Sequence, residues 1–152
     1  MAKRTKHRIS RAYMLRAYRS RNLGAEYLER GDYPSCIEFY QDSVEFSLKS
    51  ILALYDKKFR LLHDVSEELV GLVESERFSD SEFREKTSVI VVGSRTLDSW
   101  RIPAIYGYPE SDVPPKEIFD RRFAELAREF ATEIFTHCKH LYSKSIYQDI
   151  EG

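Results

Sequence analysis

Cysteine, proline and glycine are all scarce in this chain of 152 residues, and each scarcity excludes a class of protein. Two cysteines, Cys36 and Cys138, with no CxxC pair, exclude a disulfide-stapled scaffold and a cysteine-based zinc site. Both lie in apolar helical patterns and read as buried thiols in a reducing cytoplasm. Five prolines and six glycines are too few for an all-β fold with many tight turns. No apolar run approaches the ~18–20 residues that span a bilayer, so no membrane segment is expected. The basic start, residues 1–8, has no apolar core of the kind a secretory signal carries, which points to a cytoplasmic protein. A glycine-rich phosphate loop, a nucleophile elbow and a dinucleotide fingerprint are also missing, and no cofactor is expected.

What the chain does have is aromatic and charged. Ten Tyr, nine Phe and one Trp exceed what a small core can hide, so some rings belong to a surface or an interface. The net charge of −1 conceals an asymmetry. Residues 1–21 hold eight Lys and Arg and no acid, while the other sixteen bases stand against all 25 acids. A basic arm on an acidic body can touch RNA, an acidic partner or its own domain, and a helix start that frays into solvent explains it equally simply.

Periodicity predicts an all-α fold, an antiparallel up-and-down bundle of four to five helices in one domain spanning residues 1–152. The first helix runs from about residue 8 to Arg30 and stops at Gly31, with Ile9, Tyr13, Ala17, Ser20, Gly24 and Tyr27 on one side. Asp32 and Pro34 open the second, whose stripe Ile37, Tyr40, Val44, Leu48, Ile51 and Tyr55 belongs at the centre of the bundle. A short third helix, capped by Asp64 or Ser66, runs to about Glu76. The fourth starts near Ser79, where Glu82 completes a capping box. Residues 89–93 (Val-Ile-Val-Val-Gly) have strand propensity, but a lone strand would leave its backbone unpaired, so a helix is expected. Residues 102–115 carry four prolines and are expected as the longest loop. The last helix spans about Pro115 to Tyr147 on a seam of Phe119, Phe123, Leu126, Phe130, Ile134, Cys138 and Leu141, flanked by Ala127 and Ala131.

The run from Gly31-Asp32-Tyr33 through Gln41, Glu45, Leu48, Lys49 and Leu52, followed by His63-Asp64, resembles the signature of the HEPN family. The order of helices matches over nearly the whole chain. The resemblance implies a helical bundle, and in active members an Arg-x4-6-His motif at the end of a long helix that cleaves RNA. None of His7, His63, His137 and His140 has an arginine at that spacing upstream. Arg101-Ile-Pro-Ala-Ile-Tyr106-Gly-Tyr108 has the right layout, with tyrosine in place of histidine. Cleavage at a 2′-hydroxyl needs a group that titrates near neutrality, and tyrosine, with a pKa near ~10, does not. Arg101 can grip a phosphate, and Tyr106 and Tyr108 can stack on a base, so the remnant suits binding better than cleavage. Tyr108 also stands where some family toxins are modified by a minimal nucleotidyltransferase partner. Lys49 occupies the place of a lysine that recurs in the family, where it pairs with an acid or phosphate or is solvated.

Each of these residues has a plain alternative. Arg101 can be a cation at a helix C-terminus, and the tyrosines can lid a core. His137 and His140 share a helix face but lack further ligands, so no metal is expected. His63-Asp64 serves most simply as a cap. The sequence therefore carries three expectations. The first is a non-catalytic nucleotide- or RNA-binding protein, a homodimer by its surplus apolar surface, acting with a nucleotidyltransferase-like partner in a toxin–antitoxin-type module. The second is a ribonuclease built on Arg101 and Tyr106. The third is a protein-interaction module, since residues 27–33 resemble a tetratricopeptide turn, although no 34-residue period follows.

Overall fold

The computed structural model describes the backbone of residues 2–151 and the side chains of residues 8–146. The side chains of the basic arm, apart from Arg8, lie outside the described residues. The fold is all-α, with four long helices and two short ones. In order they are α1 (Ala2–Glu29), α2 (Tyr33–Leu54), α3 (Ser66–Val73), α4 (Ser81–Tyr106), α5 (Pro115–Ile118) and α6 (Arg121–Glu151), with a 3-10 turn at Pro109–Ser111. Residues 89–93 lie within α4. No strand occurs among the described residues, only an isolated bridge between Tyr108 and Val113.

The core is built on α2, which packs against all the other helices. Gly31, at φ 75°, adopts the left-handed turn that ends α1. Asp32 then accepts a hydrogen bond from the Ser35 N–H at 3.2 Å, with Pro34 in the first turn. Ile37, Tyr40, Val44, Leu48 and Ile51 follow at helical spacing and are all buried. The directions alternate. Against α1, Ser50, Ser43 and Tyr40 meet Ser10, Ala17 and Gly24, so the order runs backwards. Along α4 and α6, Trp100 meets Phe123 and Asp80 meets Lys144, again in reverse order.

The α1–α2 seam is made of small residues joined by hydrogen bonds. Ser10 Oγ donates to the Ser50 carbonyl and Ser50 Oγ donates to the Ser10 carbonyl, each at 2.8 Å, and Ser43 Oγ donates to the Ala17 carbonyl at 2.8 Å. These hydroxyls are satisfied without water, which removes the cost of burying them. At Gly24 a Cβ would come within 2.8 Å of the Tyr40 ring, so glycine sets the approach. The seam is rotated from the one the sequence predicts, because Ile9 is exposed and Ser10 and Met14 take the inner positions.

Four boundaries also differ from expectation. The expected loop over residues 102–115 is helical up to Tyr106, with Pro103 inside α4. Proline removes one N–H, whose acceptor would be the Ser99 carbonyl; Ser99 is exposed, so water can take its place. Gly107 then ends the helix at φ 68°, where a Cβ would strike the Val113 carbonyl. The last helix is broken at Phe119-Asp120. Phe119 is extended and buried, and Asp120 caps α6 by accepting from the N–H groups of Arg122 and Phe123. The buried line of α6 runs through Ala124, Ala127, Ala131, Ile134 and Cys138, while Phe123 and Leu126 are exposed. Small residues win because the helices pack closely. At the start of α4 the cap is Asp80, accepting from the Phe83 N–H at 2.9 Å, in place of the expected Ser79. Helix α3 ends at Val73 rather than Glu76.

Candidate functional site

Beside its apolar stripe, α2 carries Glu38, Gln41, Asp42, Glu45 and Lys49, a spacing that lines all five along one side of a helix. Three other elements cover this line. From α1 comes Arg16, which holds Asp42 through Nε at 3.2 Å and Nη2 at 3.0 Å, with Ser20 donating to the same carboxylate. The segment before α3 supplies His63 and Asp64, and α4 supplies Ser94, Asp98 and Arg101. The result is a polar groove let into a helical bundle.

At its centre Arg101 Nη1 donates to Gln41 Oε1 at 2.6 Å, and Gln41 Nε2 donates to the His63 carbonyl at 3.3 Å. His63 Nδ1 lies 2.8 Å from Glu45 Oε1, and Lys49 Nζ lies 2.7 Å from Glu45 Oε2. Lys49 is only 6% exposed, and its ammonium also faces the rings of Phe46 and Phe59, at 5.3 and 5.9 Å. It is therefore an acid-paired lysine and not a solvated one. Asp64 accepts from the Ser66 N–H and from Ser94 Oγ; the N-cap of α3 is Val65, which gives no side-chain cap, so neither Asp64 nor Ser66 takes the expected capping position. Burial, reinforced by the Asp64 charge, pushes the Asp98 carboxyl above the usual carboxylate range, and His63 and Arg101 pull the other way.

Of the candidates picked out in the sequence, Arg101 and Lys49 fall on this groove. Tyr106 sits five residues beyond Arg101, about 140° further round an α-helix. It is 63% exposed, and Tyr108 is 49% exposed beyond Gly107, with its backbone paired to Val113. Arg101 itself is not a terminal cation, because α4 continues past it. His63, expected as part of a cap, has Glu45 as its partner instead. Gln41 and Glu45 are the site residues that sequence reasoning misses. Their signal is a polar line, at intervals of four with Lys49, inside the most apolar of the long helices.

The two remaining histidines with described side chains pair with acids. His137 lies 3.6 Å from Glu133 and His140 lies 3.7 Å from Glu82. Among the described residues no group of histidines, cysteines and carboxylates could hold a metal ion. No described helix is long and apolar enough to cross a membrane. Both thiols are inert by burial, which raises Cys36 to about 12 and raises Cys138 as well.

Chemically, the groove offers a guanidinium with spare donors, a carboxylate-held imidazole and several acids, all carried by rigid helices. The class of protein so defined is an up-and-down helical bundle with a polar cleft between its second and fourth helices. The sequence matches the HEPN domain over residues 10–141, most of its length, and the chain belongs to the HEPN domain family. Among solved structures it is similar to TT1696 from Thermus thermophilus, with 22% identity and a TM-score of 0.64. That match covers 86% of this chain and 96% of the other, and at this identity it establishes the shared fold alone. No curated protein matches the sequence.

Proposed function

We propose that this HEPN-family chain is a single-domain, non-catalytic protein of the cytoplasm that binds nucleotide or RNA at the Arg101 groove. In this reading it works with a nucleotidyltransferase-like partner in a toxin–antitoxin-type module. The observation that carries the proposal is the anchoring of Arg101 by Gln41. One N–H of the guanidinium is fixed by a neutral amide, and the others have no hydrogen-bond partner among the described residues. A preorganised donor of this kind recognises a phosphate or the edge of a base. Lys49 has a positioning part, because its charge holds Glu45, which holds His63. Tyr106 and Tyr108 remain available on the same end of α4 for stacking on a neighbouring base. Family membership and the surviving Arg-x4-Tyr-x-Tyr layout are what favour the nucleotidyltransferase-like partner. Exposed Val89, Val92, Ile102 and Tyr106 on α4 support a homodimer.

A second reading has its own support. Although no histidine follows Arg101 at the family spacing, Gln41 touches both Arg101 and His63, and Glu45 orients the imidazole. A ribonuclease using Arg101 and His63 would need that pairing. Incubation with total RNA separates the two. Intact RNA, together with nucleotide or RNA affinity that falls about tenfold to a hundredfold in Arg101→Ala, supports the binding reading. Cleavage abolished by both Arg101→Ala and His63→Ala would replace it. A protein that binds neither nucleotide nor RNA would leave the interaction-module reading. Light scattering that reports a monomer at micromolar concentration would remove the dimer.

A further inference from the structure

Next to the groove, a pocket of about 200 Å³ opens between α1, α2 and α4, lined by Arg16, Ser20, Glu38, Phe39, Asp42 and Arg101. Three of these residues are already committed. Arg16 and Asp42 hold each other, Ser20 completes the carboxylate, and the Arg16 guanidinium lies 4.1 Å from the centre of the Phe46 ring. The other three are not. Glu38 makes no hydrogen bond or ion pair among the described residues, and Arg101 spends one N–H on Gln41. Phe39 stacks one face on Tyr27, at 5.3 Å and 4° between planes. Glu38 and Arg101 line the same pocket without pairing, so a guest fits between an acceptor and a donor.

The size and charge narrow that guest. Sites that enclose a drug-sized ligand run to roughly 300–1,000 Å³, so this pocket takes one flat ring system and leaves a phosphate outside. Acids outnumber bases along the groove, which disfavours holding the ligand by its phosphates alone. A lone carboxylate accepts best from two adjacent coplanar N–H groups. Guanine presents such a pair at N1 and N2, while its O6 and N7 accept from arginine. Adenine and uracil instead bring an acceptor up against the carboxylate. Unstacked bases read on two edges beside an aromatic ring are a recurring mode of single-strand recognition.

We infer that the Glu38–Phe39–Arg101 pocket is a guanine-base subsite, in which Glu38 reads the N1–H and N2–H edge, Arg101 reads O6 and N7, and Phe39 flanks the ring. This rests on the nucleotide-binding reading above and names the base that the site selects. The test is calorimetric titration of the full chain with 5′-GMP, 5′-IMP and 5′-AMP. GMP binds more tightly than AMP by about tenfold to a hundredfold, the range one good two-point base contact provides, and IMP, which lacks the N2 amine, falls between. Glu38→Gln, nearly isosteric, weakens GMP and strengthens AMP, whose N1 then meets an amide N–H, so the preference for guanine collapses or reverses, with an unaltered melting curve. Equal binding of GMP and AMP, lost in Arg101→Ala but indifferent to Glu38→Gln, overturns the guanine subsite and leaves the proposed function standing. Binding of tri-arginine but of no nucleotide, abolished by Glu38→Gln, overturns the guanine subsite and makes the pocket a seat for a cationic side chain. No binding of any of these probes also overturns the guanine subsite, and the proposed function falls with it only if single-stranded RNA fails to bind as well.

Discussion

The two sides of α2 bury comparable lengths of helix by opposite means. On one side Ile37, Tyr40, Val44, Leu48 and Ile51 exclude water and ask nothing of their neighbours beyond shape. On the other, Gln41, Glu45 and Lys49 are also buried, and each depends on a named polar partner. An apolar side tolerates loss in proportion to the atoms removed. A polar side fails as a unit, because deleting one member strands another. A bundle that needed only stability would not carry the second side. Its presence on the helix that organises the core is the reason for reading it as functional.

Substitutions on the two sides sharpen this contrast. The largest effect is expected from Glu45→Ala, which leaves the Lys49 ammonium buried without its carboxylate and His63 without its orienting group. It should cost about 3–5 kcal/mol in urea unfolding. The double variant Glu45→Met with Lys49→Met should recover most of that loss, because neither charge is then stranded. On the apolar side Leu48→Ala should cost about 2–5 kcal/mol, and no second change at a polar position should rescue it. If the single and double variants on the polar side were equally unstable, the idea of a coupled unit would fail. Arg101→Ala, which strands the buried Gln41 oxygen, should lower stability by about 1–3 kcal/mol while weakening ligand binding about tenfold to a hundredfold.

The smallest effect is one of pH. The Asp98 carboxyl is raised in the folded state, so its ionisation opposes folding. Asp98→Asn should therefore stabilise the protein at neutral pH, and the gain should vanish as pH falls below the ordinary aspartate value of ~3.9, where both forms are neutral. Asp80 has the reverse sign. Burial pushes it up, but the Phe83 N–H and Lys144 outweigh burial and lower it. It stabilises the fold above the ordinary aspartate value, and that stability is lost as pH falls through its folded value. Unfolding midpoints of the two asparagine variants measured across pH 3 to 7 should move in opposite directions from wild type at the neutral end.

The fold is legible in the sequence where one principle acts alone. The stripe of α2, the glycine stop at Gly31 and the helical reading of residues 89–93 follow from periodicity, capping and backbone pairing. Boundaries are obscured where two effects compete. Pro103 is tolerated because the Ser99 carbonyl that it leaves without a donor belongs to an exposed residue, and the chain breaks before Asp120 because a cap and a buried Phe119 together outweigh an unbroken heptad-like seam. On α6 the bulky residues look like the seam, but close packing selects the alanines. The site is half legible. Arg101 and Lys49 stand out through the family pattern, whereas Gln41 and Glu45 look like ordinary surface residues until the fold brings α4 and His63 over them. Long-range pairing such as Gln41 with Arg101 leaves no local trace in a single sequence.

The central claim is that the polar side of α2 receives a ligand at Arg101. The most direct measurement is a heteronuclear correlation spectrum of the labelled chain titrated with single-stranded RNA. The account predicts saturable shifts of the Arg101 Nε–H and the Gln41 side-chain amide, with the core amides of Leu48 and Ile51 unmoved. Shifts that leave Arg101 and Gln41 untouched and fall elsewhere on the surface would contradict it.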